Sequence, residues 1–429
     1  MSDPAPASSD AQPGSDATPG DQTPAAPSAP AVLAGDGLPQ ITLKPHGAKR
    51  LRRGHPWVYS NEVEMNAAAK AVPPGGLVAL HDGDGGYQGT AFFNRHPLIA
   101  ARLLTRKRGT PIDRDFLAAR LKRALAIRDK LIGKPYYRLV HAEADGLPGL
   151  IVDRFGDALA VQVNTAGMER MTGALMDALE AVIAPATVVL RNDGAVRALE
   201  HLPESVEVAR GALDGPLPLE ENGARFFADL AGGQKTGWFY DQRDNRAWAA
   251  GLAEGATVLD CYAFAGGFAV QAALAGAAAV TAVDRSQAAL DLAAMAAEAN
   301  GVTDRCRFVK AEVFQDLQRR AAAGERYDLV IVDPPAFVKS KKDLAQGLKG
   351  YRKMTRLAAA LVEKGGYLAA ASCSHHADVD SFAGQVRRGL QDAGRSARVL
   401  RTSGAAPDHP VHPALPESAY LKMQFLALD

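Results

Sequence analysis

The hydrophobic positions of the C-terminal half alternate between short apolar runs and helical stripes. The apolar runs predict strands at residues 257–261, 279–284, 306–310, 327–332 and 366–372. Intervening stripes predict helices that end near residue 275 and that cover residues 287–300, 313–323 and 348–363. Strands that are apolar throughout are typical of a parallel sheet covered by helices on both faces. The pattern predicts a doubly wound α/β domain over residues 216–429.

The preceding residues follow two other patterns. Short runs at residues 77–80, 87–93 and 99–104, separated by glycine-rich turns, predict a small β-rich module over residues 40–112. An apolar stripe at 113–132 then predicts a helix, with strands at 137–140, 149–153, 159–164 and 187–191 and a second helix at 168–183. Residues 113–215 are therefore interpreted as a small α+β domain.

The first 39 residues have the composition of a disordered tail. They consist mainly of Ala, Pro, Ser, Asp and Gly and lack aromatic residues, so they cannot bury enough apolar surface to offset the loss of chain entropy. Residues 1–40 also carry five Asp and no Lys or Arg. The formal net charge of +1 therefore combines −5 in this segment with +6 in the remainder, and the body is mildly basic.

The overall composition excludes several classes of protein. Hydrophobic residues make up 47% of the chain and charged residues 23%, which is ordinary for a globular protein. No apolar run approaches the roughly 20 residues of a membrane span, and the N-terminus does not resemble a secretory signal. The three cysteines lack the spacing of a disulfide framework or a zinc site, so we expect a cytoplasmic protein without a bound metal.

A glycine turn follows the first strand of the α/β domain, in VLDCYAFAGGFAV, and the next strand ends at Asp284. Gly266 and Gly267 would let the backbone approach a ligand, and an acid one strand away can accept both ribose hydroxyls. The spacing is not GxGxxG and no phosphate-binding lysine is present, so S-adenosylmethionine (SAM) fits better than a dinucleotide or a nucleoside triphosphate. A turn needed only for packing is the alternative.

Two further motifs follow strands of the same sheet. The strand at 327–332 leads into Asp333, Pro334 and Pro335, a rigid segment whose carboxylate and carbonyls can hold the amino edge of a base. Cys373 directly follows the strand at 366–372. A buried cysteine is often an apolar filler, but the end of a parallel strand favours a covalent nucleophile.

The segment FFADLAGGQKTGWFYDQRDNR at residues 226–246 is unusually rich in polar and aromatic residues for a linker. It lies just before the first strand of the α/β domain. We therefore expect it to cover the cofactor.

These motifs, in this order, resemble the family of class I SAM-dependent large-subunit ribosomal RNA cytosine-5 methyltransferases. LKPHGAKRLRRGHPWVYSNEV is similar to the opening of a PUA domain, and ADGLPGLIVDRFGD is similar to the central domain of the family. QKTGWFYDQRDNR, AFAGGFAV, DPPAF, SCS and DHPVHPALPESAYLK complete the resemblance. It implies a Rossmann-like methyltransferase domain preceded by a PUA domain and a small α+β domain.

The resemblance also implies roles for individual residues. It assigns the SAM site to Gln234, Phe264, Gly266, Asp284, Glu312 and Asp333. Asp284 would hold the ribose, and the segment at Glu312 would lie beside the adenine. Asp333 would contact the target base, and Cys373 would add to C6 of a cytosine so that C5 can accept the methyl group. Many members have a second cysteine where this chain has Ala336, so the base that removes the C5 proton is not identified.

Basic residues near the start of the first module suit an RNA backbone. The cluster comprises Lys44, Lys49, Arg50, Arg52 and Arg53, with aromatic residues between them. A second group comprises Arg102, Arg106, Lys107 and Arg108. A solvated charged face is the alternative reading of both.

The leading hypothesis is methylation of cytosine C5 in large-subunit (23S) ribosomal RNA. An exocyclic-amine RNA methyltransferase that uses the Asp-Pro-Pro motif, with a structural Cys373, is the alternative within enzymes. A non-catalytic RNA-binding factor of ribosome assembly is the alternative outside them. We expect large-subunit ribosomal RNA as the partner and no association with a membrane. A homodimer is compatible with the sequence.

Overall fold

The structure is a computed structural model that describes residues 37–233 and 235–429. Most of the tail expected at 1–39, and Gln234, lie outside these residues. Packed structure extends at least to Leu38, which is buried, and Pro39 O accepts a hydrogen bond from Ala79 N at 2.9 Å. Among the described helices, none has the length and apolarity needed to cross a bilayer.

The first part of the chain is a five-stranded sheet with two short helices. Its strands are β1 (Gln40–Thr42), β2 (Trp57–Tyr59), β3 (Gly76–His81), β4 (Tyr87–Phe93) and β5 (Ile99–Thr105), and its helices are α1 (Pro45–Arg52) and α2 (Ala67–Ala71). The order across the sheet is β1-β3-β4-β5-β2, with only β1 and β3 parallel. Leu43, Leu51, Val78 and Phe93 lie in its core. The three strands predicted at residues 77–104 are present, each within one residue of its expected ends.

The next part is a second five-stranded sheet flanked by helices. It comprises α3 (Arg114–Leu131), β6 (Tyr136–His141), β7 (Leu150–Phe155), β8 (Ala158–Val163), α4 (Ala166–Glu169), α5 (Thr172–Ile183), β9 (Thr187–Asn192), α6 (Val196–Leu199) and β10 (Ser205–Arg210). The order is β10-β9-β8-β7-β6, and only β8 and β9 are parallel.

One helix prediction in this part needs correction. The helix expected at 168–183 begins at Thr172, because residues Ala166–Glu169 form a separate turn capped by Thr165. Thr172 Oγ1 donates a hydrogen bond to Glu169 O at 2.8 Å and so links the start of α5 to the end of α4.

A hairpin leads into the last sheet. Its strands are β11 (Leu217–Glu221) and β12 (Ala224–Ala228), and α7 (Arg243–Ala250) follows. Trp238 and Tyr240, which precede α7, are buried between the hairpin, one face of the second sheet and one face of the last sheet. The ring of Tyr240 lies 5.4 Å from that of Phe155 at the end of β7. Trp238 and Tyr240, from the segment at 226–246, are therefore part of the core that joins the second five-stranded sheet to the last sheet.

The last part is a seven-stranded sheet with helices on both faces. It comprises β13 (Thr257–Cys261), α8 (Gly267–Leu274), β14 (Ala279–Asp284), α9 (Gln287–Ala299), β15 (Cys306–Lys310), α10 (Val313–Ala322), β16 (Tyr327–Val332), α11 (Leu344–Leu361), β17 (Val362–Ser372), α12 (Val379–Asp392), β18 (Ala397–Ser403) and β19 (Lys422–Leu428). The order is β15-β14-β13-β16-β17-β19-β18. Strands β13 to β17 are parallel, and β19 is antiparallel to both of its neighbours.

This sheet confirms the predicted doubly wound α/β arrangement. The two largest apolar clusters cover its two faces, as expected for strands that are apolar throughout. The chain order reverses between β13 and β16, so the crevice at their carboxyl ends is where ligands bind in such sheets.

Candidate functional site

Four parallel strands end at one edge of the last sheet and bring the sequence motifs together. Asp260, Asp284, Asp333 and Cys373 stand at or directly after the ends of β13, β14, β16 and β17. Parallel strands expose the same end at the same edge, so sequence motifs more than a hundred residues apart converge there.

The loop after β13 has a strained backbone. Tyr262 and Phe264 adopt positive φ angles of 62° and 48°, and Gly266 follows with 78°. Such conformations are costly for residues with side chains and persist only where the surroundings hold them. Phe264 N donates a hydrogen bond to Asp284 Oδ2 at 3.0 Å, and the Phe264 ring meets that of Phe239 edge-on at 5.1 Å. The end of β14 therefore holds the loop in place.

The two glycines of this loop leave space that is filled by neighbouring helices of the same domain. A side chain at Gly266 would come within 2.8 Å of Ala293 on α9, and one at Gly267 would come within 2.4 Å of the Arg246 guanidinium. These contacts support the alternative that the glycines are needed for packing. Glycine is required at both positions because α8 packs closely against α9 and α7.

The acids at the ends of β13 and β14 fit a cationic, ribose-bearing ligand. Asp260 is fully buried, and its Oδ1 has no hydrogen-bond partner among the described residues, while Oδ2 accepts from Ala269 N at 3.1 Å. Burial and then the charge of Asp333 raise the pKa of Asp260 to about 8. Asp284 accepts backbone N–H groups from Phe264 and Ser286 and is thereby fixed in orientation. The ammonium and sulfonium of SAM would compensate this cluster of carboxyls.

Glu312, also expected at the cofactor site, has its carboxylate engaged elsewhere. It is exposed and caps α10, accepting hydrogen bonds from Phe314 N at 3.1 Å and Gln315 N at 2.9 Å. The carboxylate of Glu312 and the first N–H groups of α10 are therefore already paired with each other. Gln234 lies outside the described residues, and its neighbour Lys235 places its ammonium 5.0 Å from the Phe239 ring centre.

Two residues before α7, which the sequence motifs did not single out, approach Asp333. Gln242 Nε2 donates a hydrogen bond to Asp333 Oδ2 at 2.9 Å. Burial and then the negative charge of Asp241 raise the pKa of Asp333 to about 7. The sequence signals for this pair are the polar density of the segment at 226–246 and the stretch QKTGWFYDQRDNR in the family resemblance. Its residues therefore reach the Asp-Pro-Pro segment as well as the loop after β13.

Cys373 lies beside the Asp-Pro-Pro segment. Its Sγ is 3.8 Å from Pro334 O, to which the thiol donates a weak hydrogen bond. Burial and then the charge of Asp333 raise the pKa of Cys373 to about 11. The structure thus brings Asp333 and Cys373 together, with the thiol neutral in the ligand-free protein.

A C-terminal segment, not predicted as part of the site, closes the other side. The Tyr420 hydroxyl donates a hydrogen bond to Asp241 Oδ2 at 2.5 Å, and its ring stacks on that of His375 at 4.9 Å. Lys422 is buried, and its ammonium donates to Ser374 O at 2.6 Å. Burial lowers the pKa of Lys422 to about 8. Residues just after β17, at or just before the start of β19 and before α7 therefore lie around Cys373.

The basic cluster of the first sheet is only partly free. Lys44, Lys49, Arg52 and Arg53 are exposed on or beside α1. Arg50 instead forms a 2.6 Å ion pair with the buried Glu62 and packs over the Tyr59 ring. Arg52 has a more exposed pair with Asp82 at 3.2 Å.

The second basic group needs a larger correction. Arg102 is mostly buried and bonds to Glu143 at 2.7 Å and to Glu200 at 3.4 Å. Trp57 Nε1 also donates to Glu143, at 2.7 Å. Arg106 donates to Leu51 O within the first sheet. Arg102 and Arg106 therefore stabilise contacts between separate parts of the fold. Their partners are carboxylates and a carbonyl oxygen that are remote in sequence.

Comparisons with known proteins agree with this geometry. Residues 150–414 match the family described as S-adenosylmethionine-dependent methyltransferase, and residues 41–106 match a PUA-like domain. The chain is 39% identical to ribosomal RNA large subunit methyltransferase I of Aeromonas hydrophila over 87% of its length and 95% of the relative. The protein of the same name from Photobacterium profundum is 38% identical over the same shares.

Solved structures show the same fold. A methyltransferase solved in complex with SAH superposes with a TM-score of 0.78 at 21% identity, covering 90% of this chain and 99% of that one. A structure described as a SAM-dependent methyltransferase from Streptococcus mutans gives a TM-score of 0.77 at 21% identity with the same coverage. With a Rossmann-like sheet, a PUA-like domain and an acid-lined crevice that fits SAM, the chain belongs to the SAM-dependent methyltransferase family that includes the ribosomal RNA large subunit methyltransferase I proteins.

Proposed function

We propose that the protein methylates C5 of a cytosine in large-subunit ribosomal RNA through a covalent adduct with Cys373. The observation that carries this proposal is the pairing of Cys373 with Asp333 at the ends of adjacent parallel strands, with Sγ 3.8 Å from Pro334 O. A nucleophile and a base-binding carboxyl are thereby held on one rigid frame. The names of the relatives support ribosomal RNA as the substrate.

The chemistry assigns each side chain a separate task. SAM, when bound, supplies the methyl group. The Cys373 thiolate adds to C6 of the cytosine, and the C5–C6 electron pair attacks the methyl carbon through C5. Loss of the C5 proton to a base restores the double bond, and the C6–S bond breaks to release the thiolate. Asp333 would hold the N3 and N4 edge of the ring while charge develops there.

The pKa of Asp333 suits this task. Because burial and Asp241 raise it to about 7, the carboxyl exchanges its proton near neutral pH. A protonated Asp333 can donate to N3 of cytosine, whereas the ionised form can accept from the N4 amino group. Gln242, bonded to Asp333 Oδ2, keeps the carboxyl in one orientation.

We also propose that the exposed residues Lys44, Lys49, Arg52 and Arg53 contact RNA phosphates. Arg50 is left out of this role, because Glu62 already neutralises it. A cytoplasmic location follows from a ribosomal substrate, and the homodimer stays a prediction from the sequence.

Methylation of an exocyclic amine is the second candidate. The raised pKa of the Cys373 thiol, together with its hydrogen bond to Pro334 O, is what a structural cysteine would also show. In that reaction Asp333 and the Pro334 carbonyl would bind the amino group, and the thiol would not react.

A double-label experiment separates the two candidates. Unmodified large-subunit ribosomal RNA carrying tritium at cytosine C5 is incubated with the enzyme and with SAM carrying a radiolabelled methyl group. C5 methylation releases one tritium for each methyl group incorporated, and Cys373→Ala abolishes both. Methyl incorporation without tritium release, or a Cys373→Ala variant of unchanged activity, would refute the covalent C5 reaction.

A further inference from the structure

We propose that a second basic surface, on the loop after β16 and on α11 of the methyltransferase domain, binds the RNA backbone beside the target base. This lysine surface consists of Lys339, Lys341, Lys342, Lys349 and Lys353. It rests on the proposed function, because it takes the same RNA as its ligand. It is separate from the basic cluster on α1 and was not singled out in the sequence.

The five lysines are exposed and uncompensated. Within residues 37–233 and 235–429, none of them forms an ion pair or a side-chain hydrogen bond. Asp343, the acid nearest to them in sequence, instead accepts a hydrogen bond from Ser340 Oγ at 2.8 Å. Five ammonium groups within fifteen residues repel one another, and an anionic partner would remove that repulsion.

Two arginines with little exposure show the contrast. Arg128 and Arg138 each form a bidentate pair with a carboxylate, Asp145 and Asp153 respectively. The charges of these two arginines are thus neutralised by carboxylates within the fold. The ammonium groups of the lysine surface instead face solvent.

The lysine surface is fixed to the strand end that carries Cys373. Val338 N, directly before Lys339, donates a hydrogen bond to Ser374 Oγ at 3.1 Å. Tyr351, between Lys349 and Lys353 on α11, forms 2.8 Å hydrogen bonds through its hydroxyl with Ser372 and Ser374. The residues on either side of Cys373 therefore position the segment that carries the lysines.

Aromatic rings adjoin the same surface. Lys353 Nζ lies 5.0 Å from the ring centre of Phe314, and the Phe314 and Phe337 rings are 5.9 Å apart. Both rings are only half-buried. Lysines interspersed with accessible rings are typical of surfaces that bind single-stranded nucleic acid, where bases stack and phosphates meet cations. This combination favours RNA over an acidic protein as the partner.

The test neutralises the surface without touching the catalytic residues. The variant Lys341→Gln/Lys342→Gln/Lys349→Gln/Lys353→Gln is compared with Arg326→Gln/Lys364→Gln, which removes exposed charges at the opposite edge of the sheet, near the starts of β16 and β17. Binding of a short, fluorescently labelled single-stranded RNA is measured across about 0.05 to 0.2 M KCl. KM for an unmodified large-subunit ribosomal RNA transcript, kcat and SAM affinity are measured in parallel.

We expect the fourfold variant to weaken RNA binding roughly tenfold or more, and to flatten the plot of log affinity against log salt by about 0.7 for each lysine that meets a phosphate. KM for RNA rises, whereas kcat and SAM affinity stay near wild-type values. A version with arginine at the same four positions restores binding. The control variant changes neither RNA binding nor its salt dependence.

Three results would overturn the proposal. Wild-type affinity and salt dependence in the fourfold variant would show that these lysines do not meet RNA. A loss in the control variant that is as large for each charge removed would show that only total charge matters. Competition by poly-glutamate as strong as that by RNA would point to an acidic protein instead. If wild-type protein binds the labelled RNA but methylates no cytosine C5 in unmodified large-subunit ribosomal RNA, the proposed function fails while the lysine surface stands.

Discussion

The pKa of Cys373 makes a quantitative prediction about its reactivity in the free enzyme. Only the thiolate is alkylated at a useful rate. With a pKa of about 11, roughly one thiol in a thousand is ionised at pH 8, against about a quarter for an ordinary cysteine of pKa 8.5. Cys373 should therefore react about 200-fold more slowly than an exposed, unperturbed thiol. Lowering the thiol pKa from about 11 to 8.5 requires about 3 kcal/mol, which the complete RNA complex must supply.

The rate is measured by iodoacetamide labelling at a series of pH values, with mass spectrometry of the peptide that contains Cys373. The expected rate rises about tenfold for each pH unit up to pH 10. Replacing Asp333 by Asn removes the nearest charge that raises the thiol pKa, so labelling of Cys373 should accelerate roughly tenfold at pH 8.

Cys306 is the internal control. Burial and then Asp304 raise its pKa to about 11 as well, but Asp333 does not contribute to this shift, so Asp333→Asn should leave its labelling unchanged. A Cys373 rate that levels off by about pH 8 would refute the reasoning, because it would show a thiolate stabilised without RNA. An Asp333→Asn variant that labels no faster would show that the two groups are not electrostatically coupled.

Two predictions concern the cofactor acids. Folding raises the pKa of Asp260 to about 8, so the ligand-free protein favours its protonated form, and the stability that this form contributes is lost as pH rises towards 8. Between pH 6 and 8 the loss is about 2 kcal/mol, and Asp260→Asn should flatten denaturant-derived stability over that range; an unchanged slope would contradict the assignment. Asp284→Ala removes the acceptor of Phe264 N and Ser286 N, so SAM affinity measured by calorimetry should fall roughly 10- to 100-fold. Wild-type affinity in that variant would exclude Asp284 from the site.

Much of the last sheet could be predicted because its strands have a strong local signal. The strands at 257–261, 279–284, 306–310 and 327–332 have the predicted bounds, since each is a short apolar run bounded by turns or helices. Predictions at helix ends were less accurate. Helix α11 begins at Leu344 and β17 at Val362, each four residues before its prediction. The early start of β17 follows because α11 ends at Leu361 and runs directly into the strand without a turn.

Charge pairing could not be predicted, because it joins residues that are distant along the chain. Arg50 and Arg102 have the same local character as the exposed basic residues around them. Glu62 and Glu143, which neutralise them, lie 12 and 41 residues away. The sequence shows that a basic residue is present, and only the fold decides whether its charge faces solvent.

By itself, the sequence determined the order of β13 to β17 and the helices between them, the doubly wound sheet and the strand ends at which Asp284, Asp333 and Cys373 stand. These features follow from local periodicity and from the rule that parallel strands end at one edge. The tertiary structure decided which residues surround them. Asp241 and Tyr420 are 179 residues apart, yet their side chains meet beside the site at 2.5 Å. Burial and mutual charge, which exist only in the folded chain, then set the pKa values on which the chemistry depends.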